Sequence, residues 1–515
     1  MPYQIGSATD DRDLLQQLRF FLLGYGTAAA PVAGANTGTG TVSNVATHPA
    51  TVTETITLSC TAAAANGGTF SVSGSVSGAL GSATVGTPFT SAVIDLLIND
   101  GATDFIVGDS FTIATTQGAL AAAGSAWTQQ RWIGHDQIAA SSQLGNPNEA
   151  FRAVDGDLTT DWYTAQNQAL PCTYALHFVA AVQPGAIAIT APGTYQRTPY
   201  TFTLEYSDDG AAWSVAQTFT AIAFTAAGQR QQLAVTATPG AHAWWRLNVS
   251  ANNGDASYTG MREFEVLESK GIYWLNHAVG AQLIVMAPGL AGTDQIYTGL
   301  QSYNLPTTDV YNWRCAGFTG FVDSSSFKTQ PGISPVLGIP LRRNAIRYWF
   351  VANGQRVAVA MQVDTTYQTF YLGKMLPYGT PQQYPYPLVV GAPLTTDGYI
   401  RYSDTSASAP TMPYKGTRNN MRLRFVDGTW KTPDCWPWNM TTTSIPRDTG
   451  GSYPLLPVIL NDSAPNVYGE LDGVAFVPGF GNAVENTVTV GSVSWLVVQD
   501  VAKTGAKDYF ALQLA

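Results

Sequence analysis

Most of the chain alternates hydrophobic and polar residues in short runs, which is the pattern of half-buried β-strands. Over residues 51–118 such runs stand at 53–61, 68–76, 83–87, 91–99 and 104–115, separated by turns of Gly, Asn and Asp. This spacing predicts a small β-sandwich over residues 51–118. Similar runs continue beyond it, so the predicted fold class is mostly β. At 515 residues the chain should contain three or four domains.

One segment near the start has the period of a helix instead. Leu14, Leu15, Leu18, Phe21 and Leu22 fall on one helical face. Residues 7–10 form a capping-box-like start that ends at Asp10, and Gly24 is a suitable stop, so one short amphipathic helix is predicted within the N-terminal segment 1–26. A single helix cannot bury its apolar face alone. It must dock on the body of the chain or on another subunit, and we favour an assembly contact with another subunit.

Residues 27–50 consist mainly of Ala, Gly, Thr and Val without charged residues, and they predict an extended linker. Composition then narrows the class of protein. Charged residues make up 12% of the chain, against roughly 25% in ordinary soluble domains. The net charge of −10 argues against a nucleic-acid partner, because phosphates require a basic surface. We find neither a signal peptide nor an apolar run long enough for membrane insertion.

The cysteines are far apart, and their spacing does not suggest a zinc site. They are Cys60, Cys172, Cys315 and Cys435. We expect four buried free thiols, with a long-range disulfide as the alternative.

The segment 148–162 concentrates oxygen-bearing side chains in one short loop. Asp155, Asp157, Thr159, Thr160 and Asp161 offer the hard oxygen ligands that calcium prefers, around a turn at Gly156. The alternative is an ordinary Asp-Gly turn between two strands. The residues of this loop alone leave both interpretations open.

Three motifs in the same region resemble the discoidin family, also called the coagulation factor V/VIII type C domain. They are Asp155-Gly156 with Thr160 and Trp162, then Ser207, Asp209, Gly210 and Trp213, and finally Trp245-Arg246-Leu247. The resemblance covers residues 125–268 and implies a jelly-roll fold that many bacterial carbohydrate-binding modules share. It also implies a structural calcium ion, with Asp155, Asp157, Thr160 and Glu263 as its ligands in this chain.

Sugar binding in such modules uses aromatic rings with one or two polar partners on loops at one end of the jelly roll. The candidate glycan-binding residues are Trp132, His135, Tyr163, Tyr195 and Arg197. For each of them the alternative role is ordinary packing or surface exposure.

Residues 272–515 are similar to a family of virion structural proteins of tailed phages. The motifs include residues 349–354, 371–373, 376–378, 383–387 and 468–473. The resemblance implies a tail, baseplate or tail-tip protein located in the virion. It would contact other virion proteins and copies of itself in a trimer or ring, and its jelly roll would face a host-surface polysaccharide. The alternative is a collar or head-decoration protein without a receptor role.

The chain is not expected to be an enzyme. Glu470, Asp472 and Glu485 are the carboxylates that stand out, but we interpret them as turn and packing residues. The sequence contains no HExxH motif, no nucleophile elbow and no P-loop. A glycan-degrading tail enzyme remains the less favoured alternative.

Overall fold

The computed structural model describes most of the chain, and every statement about structure below concerns the described residues. They are 1–133, 138–144, 148, 150–154, 158, 160–268, 271–273, 282–289, 295–305, 310–322, 325, 327–341, 345–363, 366–379, 388–392, 420–425, 427–437, 449–450, 455–462, 466–478, 482–499 and 509–514. The fold class is mostly β, as predicted, and the sheets are antiparallel.

The chain begins with strand β1 (Tyr3–Ala8) and helix α1 (Asp11–Leu23). The helix starts where predicted, because the Asp13 amide donates to Asp10 Oδ1 at 3.0 Å. It ends where predicted as well. Gly24 has a φ of 74°, and the Tyr25 amide donates to the Phe20 carbonyl, as in a left-handed helix end.

The apolar face of α1 is covered by this chain itself. Leu14, Leu15 and Leu18 are fully buried in a core that also contains strands near residues 283–390. The helix was expected to contact another subunit, but its apolar face packs inside its own chain instead. The reason is that the helix finds a large apolar sheet face within its own chain, which removes the need for a partner.

The small sandwich contains two sheets around one core. Its strands are β2 (Thr27–Ala28), β3 (Val32–Ala33), β4 (Thr41–Thr47), β5 (Glu54–Ala64), β6 (Gly67–Gly74), β7 (Gly78–Thr84), β8 (Phe89–Thr90), β9 (Ile94–Asn99) and β10 (Ser110–Thr116). One sheet has the order β2-β10-β5-β6-β7 with β3 beside β10, and the other has the order β4-β9-β8. Residues 27–47 thus supply three strands, where the sequence suggested a linker. The backbones of β2 and β3 pair with β10, and that of β4 pairs with β9.

A short helix α2 (Ala119–Ala122) and strand β11 (Thr128–Ile133) lead to the jelly roll. Its strands are β12 (Ile138–Ala140), β13 (Trp162–Tyr163), β14 (Cys172–Val182), β15 (Pro184–Thr190), β16 (Pro199–Ser207), β17 (Ser214–Phe219), β18 (Arg230–Ala234), β19 (His242–Asn252), β20 (Gly260–Met261), β21 (Glu263–Glu268) and β22 (Gly271–Tyr273). The sheet β12-β14-β19-β16-β17 packs on the sheet β18-β15-β21-β22 around one core. Short 3₁₀ helices lie at Ala150–Val154 and Tyr195–Arg197.

The remaining strands form most of the body of the protein. They are β23 (Gln282–Ala287), β24 (Ile296–Leu305), β25 (Val310–Phe318), β26 (Leu337–Leu341), β27 (Ile346–Ala352), β28 (Arg356–Val363), β29 (Thr366–Lys374), β30 (Leu376–Pro377), β31 (Leu388–Ala392), β32 (Asn420–Arg424), β33 (Trp430–Lys431), β34 (Asp434–Trp436), β35 (Leu456–Asn461), β36 (Val467–Phe476), β37 (Thr487–Val490), β38 (Val493–Gln499) and β39 (Tyr509–Gln513). A short 3₁₀ helix lies at Phe327–Thr329.

The body has three sheets in layers. The central sheet has the order β1-β27-β28-β29-β31-β32-β33. One face packs, together with α1, on the sheet β11-β23-β24-β25-β26, and the other packs on the sheet β34-β35-β36-β39-β38-β37, where β30 also pairs with β36. Within β27, Phe350 contributes to the first core and Trp349 to the second. A strand buried on both faces needs an unbroken apolar run, which β27 and β28 supply.

The two smaller domains are therefore inserted into the body. The jelly roll lies between β11 and β23, which are direct neighbours with Thr128 opposite Met286 and Ile133 opposite Gln282. The small sandwich lies between α1 and α2, and beyond it the Trp127 amide donates to the Leu22 carbonyl at 2.8 Å. Insertion is tolerated where the two ends of a domain lie close together. The jelly roll consequently starts after residue 133, later than the predicted boundary at 125.

Candidate functional site

Three loops meet at one end of the jelly roll. Strand β16 begins at Pro199 opposite Asn252, the last residue of β19, so the segments 191–198 and 253–259 lie side by side. Strand β13 pairs with β20, which adds residues 160–165 to the same end. The register of the sheets thus places three loops that are distant in sequence at one surface, which we call the loop-end site.

Arg197 is the central side chain of the loop-end site. Its Nε donates to Asp255 Oδ2 at 3.0 Å, and its guanidinium carbon lies 4.5 Å from the ring centre of Tyr163 and 4.4 Å from that of Tyr258. Cation–π contacts of this kind contribute about 0.5–2 kcal/mol each, depending on solvent exposure. The arginine is therefore held in one orientation by one carboxylate and two rings.

Asp161 fixes the neighbouring part of the site. Its Oδ1 accepts from Arg262 Nε at 2.9 Å, and its Oδ2 accepts from the Tyr163 hydroxyl and the Gly193 amide at 2.9 Å each. This carboxylate joins the loop 191–198 to strand β13 and to the start of β21. Its oxygens are thus engaged in hydrogen bonds with protein groups, although the sequence suggested them as calcium ligands.

The electrostatics agree with this geometry. Burial, followed by the hydrogen bond to Asp161, raises the pKa of Tyr163 to about 12, so the hydroxyl stays protonated and donates. Burial opposes ionisation of Asp255. However, hydrogen bonds from the Ser257 amide, from Arg197 and from the Tyr258 amide outweigh it and hold the pKa of Asp255 below its ordinary value.

Two of the five predicted glycan-binding residues, Tyr163 and Arg197, are in contact at this site. Tyr195 begins the 3₁₀ helix that carries Arg197, and its ring is partly buried against the jelly-roll core. Trp132 does not lie at the loop-end site. This residue lies in β11 of the body, where its ring packs on the first core and beneath Arg19 at 5.0 Å. His135 lies outside the described residues.

Sequence reasoning missed Asp255 and Tyr258. Both lie in the turn 253–259, where Asp255 Oδ1 accepts from the amides of Ser257 and Tyr258. The Gly254-Asp255 turn followed by an aromatic residue could have indicated an organised loop. Its position beside Arg197, however, depends on the pairing of β16 with β19, which is not a local property of the sequence.

A second arginine of the jelly roll, Arg246, has similar partners but lies away from the loop-end site. Arg246, in the middle of β19, donates from Nε to Glu205 Oε2 at 2.6 Å and lies 4.1 Å from the Trp213 ring. The side chain of Arg246 is 22% exposed, and that of Arg197 is 21% exposed. Trp213 belongs to the turn after β16, at the end opposite the loop-end site. The two arginines therefore form a matched pair in different places.

The predicted calcium ligands are only partly described. Asp155 and Asp157 lie outside the described residues. Thr160 lies two residues before the start of β13, and the buried Glu263 lies two residues after Met261, the residue of β20 that pairs with Trp162. A hydroxyl and a carboxylate at that position fit the oxygen chemistry of calcium. No group of three His, Cys, Asp or Glu residues suited to a metal ion occurs within the described part of the chain.

The three conspicuous carboxylates of the body are engaged in hydrogen bonds. Glu470 accepts from the Tyr378 hydroxyl at 2.9 Å, and Glu485 forms a two-point ion pair with Arg347. Asp472 accepts from the buried Arg356.

The four cysteines, at positions 60, 172, 315 and 435, are buried free thiols, as expected. None of the described helices is long and apolar enough to cross a membrane.

Comparison with known proteins gives a local likeness. No family model and no curated protein matches the chain. Solved structures similar to it include chitosan-binding module 1 of a chitosanase/glucanase from Paenibacillus sp. IK-5, at 23% identity over 26% of this chain and 95% of the module, with a TM-score of 0.21. A family 32 carbohydrate-binding module from Clostridium perfringens in complex with galactose has 19% identity over 25% of this chain and 90% of the module, with a TM-score of 0.22.

An F5/8 type C domain from Bacteroides fragilis has 18% identity over 28% of this chain and 96% of that domain, with a TM-score of 0.23. These structural neighbours are carbohydrate-binding modules and a discoidin-type domain. Nothing in the comparisons indicates a virion protein, so that interpretation stays a prediction.

Proposed function

We propose that the jelly roll binds carbohydrate at the loop-end site. The observation that carries this proposal is the contact of Arg197, held by Asp255, with the neighbouring rings of Tyr163 and Tyr258, whose centres lie 6.2 Å apart. The partly exposed ring of Tyr258 together with a fixed planar donor suits a sugar ring, which has apolar C–H faces and hydroxyl edges, whereas Tyr163 is buried and supports Arg197 from below. Prior fixation of the arginine also lowers the entropy lost on binding.

The charges of the site favour an uncharged sugar. Arg197 is paired with Asp255, and Arg262 is paired with Asp161. An acidic sugar would have to compete with these carboxylates, whereas a neutral hydroxyl can share the donors. We therefore expect binding that depends little on salt concentration.

We further propose that this module serves a tailed-phage particle, in which the body is the structural part. The sequence resemblance of residues 272–515 supports this context. A collar or head-decoration protein without a receptor role is the alternative. A shallow site binds weakly, so many copies on one particle would supply avidity for a host-surface polysaccharide. In this proposal a calcium ion would join Asp155, Asp157, Thr160 and Glu263 and would hold the preceding loop in place.

The proposal is tested with the full chain on a glycan array, followed by titration of the sugars that bind. We expect Arg197→Ala to lower affinity by about tenfold, equivalent to about 1.4 kcal/mol, because it removes the donor that lies against the two rings. Arg246→Ala is the matched control, since its side chain is equally exposed and paired but lies away from the loop-end site. Equal affinity for both variants and the wild type, with the jelly roll still folded, would refute the loop-end site.

A further inference from the structure

Strand β1 forms one edge of the central sheet of the body. It pairs with β27 without interruption from Tyr3 opposite Val351 to Ala8 opposite Ile346. Gln4 and Ala8 face α1 and the first core, whereas Tyr3 and Ile5 point to the other face and are 43% and 51% exposed. The strand therefore presents a regular, uncharged edge with apolar side chains beside it.

Natural proteins protect such edges by short length, bulges, proline or charge. Within the described sheets, the other edge strands carry at least one of these features. Strands β2, β3, β8, β12, β13, β20, β22, β30, β33, β34 and β37 have at most four residues, β4, β7, β11 and β17 are paired with a shift in register, β26 contains Pro340 and β18 contains Arg230. Strand β1 has six residues and none of these features.

We propose that β1 is a self-association edge, at which two copies of this chain pair antiparallel about a two-fold axis at Ile5. In that register Ile5 lies opposite Ile5, and Tyr3 lies opposite Ser7. These outward residues then share one face, where apolar cross-strand pairs stabilise a sheet. The segment 3–8 contains no charged side chain, so no like charges meet across the axis. The two central sheets join into one continuous sheet.

A second copy fits this edge better than an unrelated peptide, because the two-fold axis satisfies both edges at once. One strand pair buries less than about 1,000 Å², below the size of a stable dimer interface. The isolated chain therefore associates weakly and reversibly, and repeated contacts within an assembly strengthen the pairing. The apolar face of α1 is already buried in the body, so self-association at the N-terminal region uses the strand and leaves the helix internal.

Disulfide trapping tests the edge and its register together. The native cysteines are buried and give a low background. Cβ atoms of opposite residues in an antiparallel pair lie about 4.5–5.5 Å apart. A disulfide requires about 3.5–4.5 Å, so a shift of about 1 Å between the two strands lets the bond form. We expect Ile5→Cys to form a covalent dimer under mild oxidation. Tyr3→Cys should crosslink when mixed with Ser7→Cys, and it should do so much more slowly alone.

Analytical ultracentrifugation tests the association without a crosslink. The average mass of the wild type should rise with concentration, and Ile5→Lys should abolish the rise because it places two ammonium groups opposite each other. Val490→Lys is the matched control, since Val490 is also 51% exposed but lies in β37 of another sheet. A wild type that stays monomeric at every concentration, an unaffected Ile5→Lys variant, or faster crosslinking at Val490→Cys than at Ile5→Cys would overturn the proposal.

Discussion

Replacing Asp472 by Ala should destabilise the body through the partner that it leaves behind. The Arg356 side chain is completely buried, and its Nε donates to Asp472 Oδ2 at 3.2 Å. The same oxygen accepts from Asn353 Nδ2 at 2.7 Å. Arg356 lies in β28 of the central sheet and Asp472 in β36 of the neighbouring sheet, so this pair joins two layers.

The magnitude follows from the burial of the arginine. Without the carboxylate, Arg356 keeps its charge inside the core and can no longer reach a counter-ion. Removing one partner of a buried ion pair costs about 3–5 kcal/mol. Arg356 still donates to the Val351 carbonyl at 3.1 Å, so we expect the lower part of that range.

The four buried cysteines allow the cost to be located. Cys60 lies in the core of the small sandwich and Cys172 in that of the jelly roll, whereas Cys315 and Cys435 lie in the two cores of the body. Thiol labelling in increasing urea, with mass spectrometry of each cysteine peptide, therefore reports on every core separately. In Asp472→Ala we expect Cys435 and Cys315 to be labelled at lower urea, with Cys60 and Cys172 unchanged.

Glu485→Ala provides the matched control. Glu485 also joins the central sheet to a neighbouring layer through an arginine, but the side chain of Arg347 is 50% exposed. Exposed pairs contribute about 0–1 kcal/mol, so labelling should hardly change. The reasoning is refuted if the two variants have the same effect, or if Asp472→Ala shifts all four cysteines together.

Two further predictions concern the jelly roll and use Cys172 labelling as the measurement. Because the folded-state pKa of Asp255 is lowered, its contribution to stability is complete above the unfolded value near 3.8 and is lost as pH falls through the folded value. Lowering the pH should therefore destabilise the jelly roll, and so increase labelling of Cys172, more in the wild type than in Asp255→Asn. Identical pH profiles for the two proteins would contradict this. A calcium chelator should shift Cys172 labelling to lower urea in the wild type and not in Asp155→Ala, while Cys60 stays unchanged. An equal shift in the wild type and in Asp155→Ala would exclude the calcium site.

Several features were predictable because they depend on nearby residues. Helix α1 was found from its period, and its ends from Asp10 and Gly24, since helix caps are local hydrogen bonds. The mostly β class followed from alternation and turns. Tyr163 and Arg197 were selected as aromatic and polar loop residues, and the structure brings them together.

Other features depended on pairing between distant segments. Residues 27–47 have no strong strand pattern of their own, and they become strands because β9 and β10 offer them edges. Trp132 follows a strand pattern that suits either domain. Only its pairing partner, Leu283, assigns it to the body and separates it from Tyr163 and Arg197.

The sequence by itself therefore determined helix α1 with its two ends, the mostly β class, and two of the side chains that meet at the loop-end site, Tyr163 and Arg197. Tertiary structure alone decided that the two ends of the chain share one body, that the other domains are insertions, and that Asp255 and Tyr258 lie beside Arg197. The physical reason is that alternation and caps are encoded within a few residues. By contrast, the choice of which apolar faces and strand edges meet is a property of the whole chain, and it is settled by burial.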